Sequence, residues 1–322
     1  MDYACKETLL KIAIYFLLCT QILLILSMIY YHYTPLNAFS SILQDNPTEG
    51  KEICFWATRY DCFRDKTEYK HGIAKIYPAL DDFEVRSGFQ DDRRIAKFFN
   101  PIEIERALGL PVPYVISISA RKDNEYMWEN YADKGRGIVM ELEFNNPKGF
   151  YEAALYSIES CIYDSEITNE ELYQLVKDKY FEMAGIMLER NKFSIALLRD
   201  NPTAFVRFIA MYLLAFVAPR FKKDDYIDEE ETRIIISSPM KEYNSLLDKL
   251  QCPAVLETMA SEIRKFVDCE KKRQDNNNFF REIFMPLSVL KRIYVKKSKQ
   301  KLEVEDVLSK KGFNHIPVEI IM

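Results

Sequence analysis

Glu229 and Glu231, two positions apart in DEEETRIIIS, are the first candidates for chemistry in this 322-residue chain. Arg233 follows two positions later. If the chain is extended from Glu229 onward, alternate side chains share a face and these three groups point the same way. Two carboxylates about 7 Å apart along a strand can divide labour, one ionised and one with a raised pKa. Arg233 would hold one of them charged. The bland alternative is a solvated acidic turn. Ile234–Ile236 read as core strand, however, which places Glu231 over a sheet rather than in open solvent.

Two further groupings accompany this one. In FWATRYDCFRDKTEY, residues 55–69, a strand ends and presents Thr58, Arg59, Asp61, Asp65 and Glu68, with Asp65 fitting a helix N-cap. In the second, Ser117 and Ser119 lie two apart on a strand, so their hydroxyls face one side. Met127, Trp128 and Tyr131 share a helix face, the spacing most often seen in core packing. Asp123 fits an N-cap, Gly135 a C′ position, and Gly137 a close backbone approach or a positive φ. Asp65, Glu68, Trp128, Tyr131 and Gly137 are therefore expected to shape a cleft, with the serines as its ligand contacts.

The elements that must hold these groups are of both kinds. Strands are expected at Ile53–Thr58, on both sides of the Met-Trp-Tyr helix, at Ala154–Tyr163, and after the acidic turn Asp224–Glu229. Helices are expected at Leu36–Leu43 after Pro35, from Asp65, at Asp91–Leu108, from Asn169, from Pro202, at Pro253–Cys269 and at Val304–Lys310. One or two strands fit Phe284–Val295. The order is not a regular βαβ alternation, so the class is α+β, a mixed central sheet with a helical insertion at about 166–222.

Composition narrows the function. Nine glycines, against about 20 at average usage, leave no GxGxxG or GxxxxGK[ST] phosphate loop. Seven cysteines without CxxC and three dispersed histidines give no metal motif, so no metal is assigned. A net charge of −5 implies no broad nucleic-acid surface, and no nucleic-acid partner is expected. Ile12–Tyr31 is a charge-free run of 20 residues, long enough to cross a hydrocarbon core of about 30 Å. Residues 1–28 are read as an amino-terminal hydrophobic helix, with 9–28 a single-pass membrane contact, and 29–322 as one α+β domain. Lys6 and Lys11 place the amino end inside and the domain outside, while unpatterned cysteines point to the cytoplasm, the side favoured of the two.

The motif order YYHYTPLNAFSSIL, FWATRYDCFRDKTEY, Ser117-x-Ser119, Met127-Trp128, Tyr131, Gly137, and Lys223, Tyr226, Glu229-x-Glu231-x-Arg233 resembles the bacterial family catalogued as domain of unknown function 2971, over about residues 30–295. Arg64 and Lys66-Thr67 depart from its commoner Asn and Pro-aromatic residues, as does the hydrophobic amino segment. The layout His32-x-Thr34, Ser-x-Ser, Glu-x-Glu is also similar to that of ADP-ribosyltransferases. That likeness implies NAD as substrate, with His32 and Thr34 at the NAD ribose, Ser117 or Ser119 positioning it, and Arg233 nearby. Glu231 would be catalytic, with Glu229 assisting.

Three functions follow as expectations. The first is ADP-ribosyltransferase-like or NAD glycohydrolase activity, in bacterial defence or conflict. The second is a membrane-tethered sensor or scaffold that binds a small-molecule or protein target in the same cleft without turnover. The third is a Mg²⁺-assisted hydrolase using Asp61, Asp65, Glu68, Glu229 and Glu231. It ranks last, because no Lys stands with these carboxylates at a nuclease-like spacing.

Overall fold

A computed structural model of the chain describes residues 27–46, 50–89, 94, 112–145, 148–151, 154–190, 215–238, 270–273 and 278–321. The helices expected at 91–108 (save Arg94), from Pro202 to 214 and at 253–269, and the apolar segment up to residue 26, lie outside these residues.

The alternating aromatic and β-branched run MIYYHYT forms strand β1 (Met28–Thr34), paired antiparallel with β5 (Ile138–Phe144) over its whole length, from Met28↔Phe144 to Thr34↔Ile138. Met28, the last residue of the expected hydrophobic helix, is therefore sheet, as are Ile29–Tyr31 at the end of the charge-free run. Among the described residues, no helix is long and apolar enough to cross a membrane. Pro35 then presets the backbone for α1 (Leu36–Ile42), which buries Phe39 and Ile42. Strands β2 (Leu43–Asn46) and β3 (Gly50–Arg59) follow as an antiparallel pair.

A 19-residue helix, α2 (Glu68–Arg86), buries Tyr69, Ile73, Ile76, Leu80 and Phe83 on one face. It is preceded not by an Asp65 N-cap but by Thr67, whose backbone N–H and hydroxyl both donate to Asp65. The order continues with β4 (Val112–Ser119), α3 (Glu125–Tyr131), β5, β6 (Lys148–Tyr151), β7 (Ala154–Ser160) and β8 (Ile162–Tyr163). Asn124 caps α3 by accepting from Met127 N–H, one position after the expected Asp123. Helix α4 (Asn169–Arg190) opens the insertion, with Thr168 and Glu171 exchanging hydrogen bonds as a capping box one residue before the expected cap. Tyr173, Tyr180 and Phe181 of α4 pack around Phe83 of α2.

The chain then forms β9 (Phe221–Lys222), a 3₁₀ turn (Asp224–Glu229), β10 (Glu231–Ser238), β11 (Glu270–Lys272), β12 (Phe279–Pro286), β13 (Leu290–Val295), α5 (Ser298–Lys310) and β14 (Val318–Ile320). Twelve strands join one sheet ordered β11-β12-β3-β4-β1-β5-β13-β14, with β2 paired to β3, β10 to β4, β7 to β10 and β6 to β7. The class is α+β, and its mixed sheet includes one parallel pair, β13 with β14. β8 and β9 form a separate parallel pair.

One topological feature positions the site. β10 covers one edge of β4 from Glu231↔Ser119 to Ser238↔Val112. The other edge of β4 is divided between two strands. Tyr114 and Val115 face Arg59 and Thr58 of β3, and Ser119 faces Tyr31 of β1. β1 and β3 thus leave the same edge, and the sheet forks between Val115 and Ser119.

Candidate functional site

A cleft of about 650 Å³ opens at this fork. His32 of β1 touches both other strands there. Its Nδ1 lies 2.9 Å from the Ser117 carbonyl oxygen of β4, and its ring meets Phe55 of β3 edge-on at 4.9 Å. Burial pushes the His32 pKa below the ordinary 6.5, although the Ser117 bond works the other way. The ring is therefore neutral at pH 7. Its carbonyl partner assigns the proton to Nδ1 and leaves Nε2 as an acceptor.

The floor is a buried charge cluster centred on Lys222. Its ammonium donates to Glu229 Oε2 and, at 2.7 Å, to Glu231 Oε2, with Glu68 Oε2 at 3.9 Å. Arg233 donates to Glu231 Oε2 at 2.9 Å and faces Glu68 Oε1 at 2.7 Å. Tyr131 Oη donates to Glu229 Oε1 at 2.5 Å, and Tyr163 Oη accepts the Glu231 N–H at 3.1 Å. Burial alone would raise the Glu231 pKa. The charges and hydrogen bonds of Arg233 and Lys222 overcome it and hold this carboxyl far below the usual range. Lys222 is likewise held protonated, since Glu231 and then Glu229 outweigh its burial.

Local structure explains how these groups meet. Parallel pairing sets Lys222 beside Tyr163, and both reach Glu231, Tyr163 through its hydroxyl and Lys222 through its ammonium. Glu229 does not extend the strand as expected: it ends the 3₁₀ turn, and Glu230 adopts φ +43° before β10 starts at Glu231. That left-handed residue reverses the chain, so both carboxylates converge on Lys222. Arg121 holds the Glu230 side chain at 2.9 Å, and Asn124 binds the carbonyls of Asp228 and Glu229.

The walls combine aromatic and polar groups. Tyr131 of α3 lines the cleft, whereas Trp128 lies behind it, edge-on to Tyr33 at 5.7 Å with its Nε1 donating to the Lys122 carbonyl. Gly137 packs so close to β1 that a Cβ there would lie 2.4 Å from the Thr34 carbonyl oxygen. Gly135, at φ +73°, completes a left-handed run with Asp133 and Lys134 beyond the C′ position expected of it. Cys54 and Cys62 also line the cleft, but burial pushes the Cys54 thiol up to about 12 and raises that of Cys62, so neither is a ready thiolate.

Of the expected residues, the cleft gathers His32, Thr34, Asp65, Glu68, Ser117, Tyr131, Glu229, Glu231 and Arg233. It does not take Ser119, which shares the face of Ser117 but is fully buried, its hydroxyl accepting from Arg121 N–H. Asp61 turns away as well. It pairs with Arg59 at 2.8 Å, and Arg59 also binds Glu270, which accepts from Tyr114, on the far side of β3. Asp65 belongs to Thr67 and Lys223. The five carboxylates of the metal-hydrolase expectation are thus split among three places, and among the described residues no group of three His, Cys, Asp or Glu side chains could hold a metal ion. Lys222, absent from that expectation, stands among three carboxylates. It follows directly before Lys223 of the motif, which was the one available signal.

Residues 127–234 match the model of a family described as a protein of unknown function (DUF2971). The matched segment runs from Met127 of α3 to Ile234 of β10 and so contains Tyr131, Lys222, Glu229, Glu231 and Arg233. No curated protein and no solved structure matches the chain.

Proposed function

We propose that the cleft binds nicotinamide adenine dinucleotide and breaks its nicotinamide–ribose bond, passing the ADP-ribosyl group to water or to a nucleophile on another molecule. The observation that carries this reading is that one cleft is lined by three groups on neighbouring strands: an ionised, buried Glu231, a neutral His32 whose Nε2 is an acceptor, and Ser117 on the strand between them. As the glycosidic electron pair leaves with nicotinamide, positive charge grows on the ribose. A fixed carboxylate in a site screened from water stabilises that charge without reorganising. His32 Nε2 accepts a hydrogen bond from a ribose hydroxyl, and Ser117 aligns the sugar. The incoming nucleophile gives up its proton as it bonds to the anomeric carbon, and nicotinamide departs neutral. Glu229, oriented by Tyr131 and Lys222, assists by keeping Lys222 in place.

The test is nicotinamide release from NAD by the full chain. Wild type releases nicotinamide, and Glu231→Gln reduces the rate by at least about a hundredfold, the scale of one lost electrostatic stabiliser. Circular dichroism and gel filtration check that the variant still folds. Equal rates in the two proteins, or no release by wild type with any candidate acceptor, would sink the proposal.

A second reading has its own observation in support. Two cations already neutralise Glu231 in the resting cluster. A carboxylate held in this way suits a rigid binding floor, as in a sensor or scaffold that takes a ligand without turnover. Ligand binding by both wild type and Glu231→Gln, with no product from either, is its signature.

The membrane contact through residues 9–28 also stands as a proposal, supported by the charge-free run. Met28 already belongs to β1, so such an anchor would hold the domain flush against the bilayer. Membrane fractionation of the full chain against a chain starting at Ser27 tests it. NAD consumption at such a surface suits a role in bacterial defence.

A further inference from the structure

We propose that the mouth of the cleft contains a phosphate-binding subsite built from Arg273 and Arg64 beside an aromatic ledge, so that the ligand is a phosphorylated nucleotide. The inference rests on the cleft being the ligand site proposed above, and not on the bond that is broken there.

The cations of this cleft fall into two groups. Lys222 and Arg233 are bound to carboxylates at the floor. Arg273 and Arg64 also line the cleft, and neither forms an ion pair among the described residues. The Arg273 Nε is buried and has no hydrogen-bond partner among the described residues. A buried donor left without an acceptor is costly, and an incoming anion is the natural partner. Arg220 and Arg233 also bury a nitrogen without a partner, but Arg233 is paired with Glu231 and Glu68, whereas Arg273 lines the cleft with no carboxylate beside it among the described residues.

The mouth is held together as a unit. Arg273 follows β11 directly, and its backbone N–H donates to the Asn278 carbonyl at 2.8 Å. Asn278 Nδ2 in turn reaches the Cys62 carbonyl at 3.4 Å, and Phe279 N–H, at the start of β12, reaches Cys62 Sγ at 3.1 Å. These bonds dock the turn carrying Arg64 against the strand end carrying Arg273.

The ledge beside them is aromatic and open. Trp56 is 44% exposed although it sits in a central strand. Its ring packs on Phe280 with centroids 4.5 Å apart, and the Arg273 guanidinium lies 5.1 Å from the Trp56 ring. The contact with the indole keeps the guanidinium beside the ledge, and its planar fork suits two phosphate oxygens. An exposed indole face beside it accepts a nucleobase. A solvated arginine lying over a tryptophan is a common surface contact worth little alone. Here the buried Nε, the lack of a carboxylate partner among the described residues and the position on the cleft wall act together.

Isothermal titration of the full chain with ADP-ribose, ADP and adenosine tests this. ADP-ribose and ADP bind, with affinity falling as KCl is raised, and adenosine binds at least tenfold more weakly. Arg273→Gln lowers ADP affinity at least tenfold, Arg64→Gln lowers it less, and Arg273→Lys restores part of the loss. Thermal unfolding of each variant near the wild-type midpoint confirms that the fold is retained. Equal affinity for ADP and adenosine, no binding of either, or ADP affinity unchanged in Arg273→Gln overturns the subsite. Arginine-dependent ADP binding without nicotinamide release would refute the glycosidic reading alone. Nicotinamide release that ignores both arginines would refute this inference alone.

Discussion

The Lys222 ammonium lies 2.7 Å from Glu231 Oε2, with the two side chains only 4% and 3% exposed. Two charges this deeply buried lose their hydration, and their attraction compensates only when other hydrogen bonds complete the cluster. Here the bonds of Lys222 to Glu229 and of Arg233 to Glu231 do so, with Glu68 adding its charge at 3.9 Å from Lys222. The pair is thus a property of the whole cluster, and removing one member strands the rest.

Lys222→Met tests this most directly. Methionine fills similar space but leaves Glu229 and Glu231 facing each other without the cation between them. Breaking a buried pair by removing one partner costs about 3–5 kcal/mol. Urea unfolding should show a loss of that size. Adding Glu229→Gln should recover part of it, because the two changes are coupled through one contact. A loss below about 1 kcal/mol would mean that the cluster is solvated.

Acid should dismantle the same cluster. The folded-state pKa of Glu231 is depressed, so its contribution is fully present above the unfolded value of 4.5 and is lost as pH falls toward the folded one. The urea midpoint of wild type should drop steeply below about pH 4.5, and that of Glu231→Gln should drop less. The raised pKa of Lys222 acts in the opposite sense, its stabilisation being lost only above the ordinary lysine range. Parallel acid profiles for the two proteins would remove Glu231 as the titrating group.

The sequence made some of this legible and concealed the rest, for physical reasons. Glu231 and Arg233 could be read because a strand period of two puts them on one face, and β10 keeps that period. Glu229 joins them for a different reason, the left-handed Glu230, which no periodicity announces. Lys222 was hidden because its position depends on β8 pairing with β9 across the helical insertion. Ser117 and Ser119 share a face, yet only Ser117 reaches the fork, since Ser119 already pairs with β1. The fork itself arises when two strands share one edge of β4, a nonlocal arrangement with no local signature. Caps were legible to within a residue or two, as with Asn124 in place of Asp123, because adjacent Asx residues offer the same acceptor chemistry.

Gly137→Ala probes the wall behind the site. The new Cβ would meet the Thr34 carbonyl oxygen at 2.4 Å and the Ala132 carbonyl carbon at 2.8 Å, both rigid backbone. Relief requires α3 and β1 to separate, at a cost of about 1–3 kcal/mol. Thermal unfolding should show a lower midpoint. Gly88→Ala is a useful contrast, since nothing lies within 4 Å of a Cβ there and only its positive φ of +76° is penalised. The Gly137 variant should lose more stability, and the reverse order would show that the turn yields easily.

His32 tests the fork itself. Burial holds its pKa below 6.5, so in an NMR titration its imidazole carbons should move with a midpoint under that value. The unfolded chain then binds a proton that the folded chain refuses, and stability must fall as pH drops from about 7 through 6. Replacement by alanine removes both the 2.9 Å bond to Ser117 and the edge contact with Phe55. It should cost about 1–3 kcal/mol and abolish this part of the pH dependence, because no imidazole remains to titrate. His32→Asn should recover part of the stability by supplying an amide N–H to the Ser117 carbonyl. It cannot restore the titration, and this separates the structural donor at Nδ1 from the acceptor assigned to Nε2. A His32 midpoint at or above 6.5 would show instead that the ring is solvated and free to protonate, and the neutral acceptor required at the proposed ribose position would be lost.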